Sequence, residues 1–124
     1  MWQRNIIILS IVSALPACAL QQVSYKEDIH PILDSNCNGC HIAPYGYGYQ
    51  KTGLDMSTYH SLMKGTIYGP VVIVGDSRRS ILNKLVEGRA GNLQKILHDA
   101  ENEEITQKEV ETIRDWVDEG ALNN

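Results

Sequence analysis

The run Cys37-Asn38-Gly39-Cys40-His41 constrains this chain more than any other stretch. It sets two of the three cysteines two residues apart and puts a histidine directly behind the second. Several chemistries use such a pair. A closed zinc site wants four ligands, and no second Cys pair accompanies this one. A thioredoxin-like redox pair belongs to a βαβ setting, whereas a short helical pattern precedes these cysteines and a Gly-rich run follows them. A disulfide across so small a loop removes little freedom from the unfolded chain. C-x-x-C-H in an exported chain is, by contrast, the attachment signal for c-type haem. Two thiols add across the two vinyl groups, and the following histidine is then held beneath the iron. On this reading Cys37 and Cys40 are the covalent haem thioethers, His41 is the proximal axial ligand, and the cofactor is one haem c.

Export is legible in the first residues. Arg4 marks a short positive region, residues 6–15 form an apolar run, and small residues follow. A run of about ten apolar residues is too short for a permanent span of a bilayer core of about 30 Å. Two processing readings follow. Ala17-Cys18-Ala19 fits a small-x-small cleavage site, giving a signal peptide over 1–19 and a domain over 20–124. Leu15-Pro16-Ala17-Cys18 resembles a lipobox, giving a signal over 1–17 and a lipidated Cys18, although Pro16 is unusual there. Both place the domain in the periplasm or an equivalent exported space, with a lipid at Cys18 as its sole membrane attachment.

The 124 residues make one small domain. With no Phe, two Trp and six Tyr, the protein's own core is thin for this length, and a bulky cofactor would fill it. The formal charge of −4 becomes about −5 once Arg4 is removed with the signal. Nucleic acid is a poor partner for such a surface; basic patches on other redox proteins are good ones.

Ser24 and Glu27 have capping-box spacing and start a helix with Ile29, Ile32 and Leu33 on one side, which Pro31 is expected to break into two short pieces. Residues 44–53, PYGYGYQKTG, read as a loop, either a spacer or tyrosine rings covering a cofactor edge or partner surface. Ser57 is expected to cap a helix running through Met63 to Gly65. TIYGPVVIVG reads as β-prone and extended, packed on the core and ending at Gly75. Asp76 or Ser77 should cap a helix carrying Ile81, Leu82 and Leu85 and ending at Gly88. Residues 89–105 read as a loop with at most one helical turn. Thr106 and Glu109 form a second capping box, and Val110, Ile113, Trp116 and Val117 repeat at helical spacing up to Gly120. The fold class is all-α, with short helices and long loops wrapped around one cofactor.

SYKEDIHPILDSNCNGCH resembles the opening of the small exported cytochrome c domains often labelled planctomycete-type, which are related to class I cytochromes c. The similarity continues through TGLDMSTYHSLMKG, YGPVVIVGDSRRSILNKLVEG and TIRDWVDEGA, covering residues 24–121. The resemblance implies a cytochrome c-like fold around a single haem and a closing helix that packs across the first, with Trp116 in that contact.

The same resemblance implies a Met-Pro pair before the last helix as sixth iron ligand, and here the sequence departs from it. NLQKILHDAENEEIT occupies that region. His98 lies in the corresponding loop and is the candidate distal axial ligand. His60 and Met63 share a helical face but not the usual axial position, Met56 reads as packing, and His30 reads as a surface or haem-edge residue. An open, five-coordinate iron is the remaining arrangement. Arg78 and Arg79 could face a haem propionate or simply begin a solvated helix. The acidic run 99–104, DAENEE, reads as solvated first and as a docking surface for a basic partner second.

The function expected is single-electron transfer between larger redox proteins, with no substrate and no enzymatic activity of its own. The alternatives are a gas sensor or peroxidase with an open distal site, and a non-haem module held by a Cys37–Cys40 disulfide.

Overall fold

The computed structural model describes residues 21–91 and 105–124. The export segment with Cys18, and residues 92–104 with His98 and the acidic run, lie outside the described residues. Among the described residues the architecture is helical with no strand, and no helix is long and apolar enough to cross a membrane.

The first helical segment is broken at Pro31 as expected, by an unexpected device. A π-helical turn, Tyr25–Ile29, runs directly into α1, His30–Asn36. The N–H groups of Asp28 and Ile29 both reach the Ser24 carbonyl, at 2.9 and 3.2 Å, and His30 donates to the Tyr25 carbonyl five residues back. In a regular α-helix the Pro31 ring would press on the carbonyl four residues earlier; a turn widened by one residue relieves that clash. The same widening re-routes the cap. Ser24 Oγ accepts from the Glu27 N–H at 3.2 Å, but the Ser24 N–H donates to Asp28 Oδ2, at 2.8 Å, rather than to Glu27.

Residues 44–53 are not wholly a loop. Helix α2 covers Tyr47–Thr52 and ends at Gly53, which has φ of 72°. Gly within a helix costs only about 1 kcal/mol relative to Ala, so a single glycine at position 48 does not forbid the helix when packing favours it. Helix α3, Tyr59–Lys64, is capped by Thr58 rather than Ser57, through a reciprocal box with Ser61, and ends at Gly65.

The β-prone run forms an isolated bridge between Thr66 and Gly69 and no strand. Val71 and Val72 are both buried although adjacent, which alternation along a strand face would not allow. Their backbone serves the next helix instead: Leu82 N–H donates to the Val71 carbonyl at 3.0 Å, and Ile73 N–H to Ser80 Oγ at 2.8 Å. Asp76 caps only a turn, accepting from Arg79 N–H at 3.0 Å. Helix α4, Ile81–Val86, therefore begins later than the capping signal suggested, with Ser80 at its N-cap.

Helix α5, Gln107–Asp118, has the Thr106–Glu109 capping box intact and buries Val110, Ile113, Trp116 and Val117. It packs on the π-helical turn and on α4. Trp116 meets Tyr25 at a ring-centroid distance of 5.7 Å, and Tyr59 contacts both, at 5.1 Å from Tyr25 and 6.4 Å from Trp116. Trp116 thus occupies the helix crossing that the family resemblance implied. Its Nε1–H donates to the Leu122 carbonyl at 3.0 Å, and Tyr59 Oη–H to the Ala121 carbonyl at 2.9 Å, so the segment after α5 is tied over the aromatic cluster. Asn124 completes the closure: its carbonyl accepts from Lys26 N–H at 3.0 Å and Ser24 Oγ–H at 2.9 Å, and its Oδ1 from Tyr25 N–H at 2.9 Å.

Candidate haem site

The cysteine motif begins where α1 stops. Cys37 is the C-cap of α1, its N–H donating to the Leu33 carbonyl at 2.8 Å, and the Cys37 carbonyl then accepts from Cys40 N–H at 3.1 Å and His41 N–H at 2.9 Å. One tight turn thereby gathers both thiols and the imidazole. Both cysteines are free thiols of intermediate exposure, so no Cys37–Cys40 disulfide is present. Burial, and secondarily the neighbouring Cys40, push the Cys37 thiol up to about 11. Among the described residues no group of three or more His, Cys, Asp or Glu is placed to hold a metal ion, which leaves a closed zinc site without its donors.

The polypeptide then folds back on the motif twice. Tyr49 N–H donates to the Cys40 carbonyl at 3.1 Å, which presses α2 against the turn. The approach is close enough to require glycine. A Cβ on Gly48 would lie 2.6–2.9 Å from the Cε1, Nε2 and Nδ1 atoms of His41, and one on Gly46 would overlap the Cys40 carbonyl oxygen. The alternation of Gly and Tyr, read as a loop signature, is the imprint of this cradle: glycines face the motif, while Tyr45 and Tyr47 stand exposed. Lys51 Nζ lies 5.5 Å from the centre of the Tyr47 ring.

On the second pass, Met56 N–H donates to the His41 carbonyl at 2.8 Å, and Leu54 and Met56 are buried. The imidazole pKa is lowered by burial, with the Leu54 backbone opposing that shift. His41 Nδ1 itself is buried and has no partner within hydrogen-bonding geometry; the Leu54 backbone is near enough to act on the ring's charge without closing that bond. A buried nitrogen in this condition is costly unless the ring is fixed for another purpose.

These observations fit a covalently held haem. Two free thiols in one turn are the donor set its attachment needs, and the adjoining imidazole sits in a cradle that a single added methyl group would fill. The other candidates fall elsewhere. Met56 packs in the core, beside the backbone of His41. Met63 is partly buried against the core, and His60 is exposed on α3. His30 Nε2 is 3.2 Å from the Ser57 carbonyl and its ring lies edge-on to Tyr25, which gives it a packing role. Arg79 pairs with Asp76 at 2.6 Å. Arg78 lines a cleft between α4 and α5.

Sequence reasoning missed Gly46, Gly48 and the Leu54 backbone. Two glycines within three residues of each other, just behind the histidine, were the available signal for the first pair.

A family model described as PccH cytochrome c matches residues 24–124. No curated protein and no solved structure matches the chain. The match includes the CNGCH turn, its glycine cradle and the closing Trp116 helix. The chain therefore belongs to the PccH cytochrome c family, all-helical c-type cytochromes with covalently bound haem c.

Proposed function

We propose that this protein is an exported monohaem electron carrier that passes single electrons between larger redox proteins. Haem c supplies an iron able to cycle between ferric and ferrous states. The chain's own residues hold and tune it. Cys37 and Cys40 would hold the haem through two thioether bonds, each the addition of a thiol S–H across one vinyl group with no net oxidation or reduction. His41 would supply an imidazole to the iron, a role supported by its ring packed against Gly48. The Leu54 carbonyl orients that ring once Nδ1–H closes on it, in the way outer partners commonly fix ligating histidines.

His98 would supply the second iron ligand in this reading. An imidazole in place of the family's thioether lowers the reduction potential, because Met/His ligation is the arrangement that raises it. With both His41 and His98 as iron ligands, the group would be suited to electron exchange rather than substrate chemistry. The surface charge favours basic redox partners, with association weakening as salt rises.

Two measurements test the reading. Intact mass of the polypeptide made in a host competent for c-type maturation should exceed its amino-acid mass by one haem, and should fall to the bare polypeptide in a Cys37→Ala, Cys40→Ala double variant. The oxidised and reduced spectra should show bis-imidazole ligation that disappears in His98→Ala. An unchanged spectrum removes His98 from the iron, and rapid carbon monoxide binding by the reduced wild type favours the sensor or peroxidase alternative.

A further inference from the structure

Between α2 and α3 the chain crosses the CNGCH turn as the segment Leu54-Asp55-Met56. Leu54 and Met56 are buried in the core while Asp55 between them is half-buried, the alternation of an extended segment. In extended backbone the carbonyl before a residue and the N–H after it leave along the same edge. Here both address His41. Met56 N–H donates to the His41 carbonyl at 2.8 Å, and the Leu54 backbone acts on the imidazole. The two groups that meet the histidine are therefore the immediate neighbours of one acidic residue.

Asp55 secures that segment from its other side. Its Oδ1 accepts from Ser57 N–H at 3.0 Å. Burial pushes the carboxyl up, but hydrogen bonding from Ser57, the Ala43 backbone and the Ser61 side chain outweighs it and holds the carboxyl below its ordinary range. Ala43 lies two residues beyond His41, and Ser61 belongs to α3, so one carboxylate gathers donors from the chain leaving the motif and from the next helix. Ser57 is itself anchored, its carbonyl accepting from His30 Nε2–H of α1 at 3.2 Å. Asp55 forms no ion pair among the described residues, so neutral donors meet its charge. Hydrogen bonds to an ionised acceptor are roughly twice as strong as neutral ones, which makes a carboxylate an effective clasp for backbone.

We propose that Asp55 is the positioning residue of the iron-ligating imidazole: by clasping Ser57 and Ala43 it holds the Leu54 carbonyl at the Nδ1 side of His41 and thereby sets the rotation of the ring. The role rests on the assignment of His41 to the iron. Outer partners of this kind orient a ligating histidine and raise its basicity, so a loosened carbonyl leaves a weaker donor and a higher reduction potential.

The test uses the haem-loaded protein with ring-labelled histidine, followed by nuclear resonance in the oxidised state. There the ring of an iron ligand is displaced far from its diamagnetic position, and the spread of the haem methyl resonances reports the rotation of that ring. In Asp55→Ala the His41 ring and the methyl pattern should move and the reduction potential should rise. Asp55→Asn keeps an acceptor oxygen for Ser57 N–H and should shift both readouts in the same direction by less. The Trp116 indole N–H, bonded at the other end of α1, should hold its resonance and so separates a local change from a failure to fold. Should Asp55→Ala not fold, Asp55→Asn decides alone. A methyl pattern and potential that stay at their wild-type values overturn the proposal. A potential that rises while the methyl pattern stays in place makes Asp55 a remote charge and also overturns it. A His41 ring at its diamagnetic position in the oxidised wild type fails the ligand assignment itself, and the positioning role falls with it.

Discussion

Where the first helical segment crosses α5, Trp116 is buried with its N–H bonded, Tyr59 has its hydroxyl bonded, and Asn124 satisfies backbone donors from Tyr25 and Lys26. At the CNGCH turn the backbone also folds closely over the motif, yet His41 Nδ1 and Asn38 Oδ1 are buried without partners and both thiols are free. The first region derives its stability from packed aromatic rings whose polar groups, the Tyr25 hydroxyl excepted, are bonded to the backbone around them. The second region is preorganised in shape and left chemically incomplete, which is the condition of a site whose reactive groups are kept for a cofactor. Stability and chemistry are therefore assigned to different ends of α1.

Substitutions in the two regions should separate along that line. The largest effect is expected from Trp116→Ala, which removes a fully buried indole and should cost about 3–5 kcal/mol in denaturant unfolding while leaving covalent haem attachment intact. Gly48→Ala sets the two regions against each other within one residue. Better helix propensity contributes about 1 kcal/mol, but the new methyl group overlaps a rigid imidazole, an overpacking cost of about 1–3 kcal/mol. The expected outcome is a small net loss of stability, a changed absorption spectrum of the oxidised protein, and an unchanged α5 interface. A spectrum identical to wild type would show that the ring yields freely and that the cradle does not position it.

Tyr25→Phe should have the smallest effect at neutral pH, because the Tyr25 hydroxyl is buried and has no partner. Its effect appears in alkali. Burial, with a smaller contribution from Tyr59, raises the Tyr25 pKa from 10.0 to about 12. The contribution of the neutral phenol is fully present below pH about 10 and is lost as pH rises through about 12, at a slope of about 1.4 kcal/mol per unit. Unfolding midpoints followed across that window should fall in wild type and fall less steeply in the Phe variant.

The parts of the fold that the sequence made legible were those governed by local, additive signals. The Thr106–Glu109 box and the Val110, Ile113, Trp116, Val117 spacing give α5 directly, because each feature acts within one or two turns. Pro31 announces a break for the same reason, although the π-helical turn that accommodates it depends on which carbonyl the ring would have met. The CNGCH motif was legible because its chemistry is fixed by residue type and spacing. What remained hidden depended on tertiary contact. Helix α2 exists because the chain needs close approach at His41, a requirement that outweighs the low helix propensity of Gly48. The valine-rich run failed to become a strand because its backbone groups are used by α4 rather than by a pairing partner. The cleft between α4 and α5 draws its lining from segments as distant as Arg78, Arg89 and Arg114, and no local pattern marks that placement.

The bonds from Asn124 to Ser24, Tyr25 and Lys26 also bear on how the chain could be re-wired. They hold residues almost 100 positions apart within contact distance, so the entropy of joining them is already spent in the native state. A short glycine-serine peptide linking position 124 back to position 23 would make a circular backbone with little strain. New ends could then be opened in an exposed turn such as the one around Gly69, giving a permuted chain in which α5 leads directly into the helix that delivers the thiols.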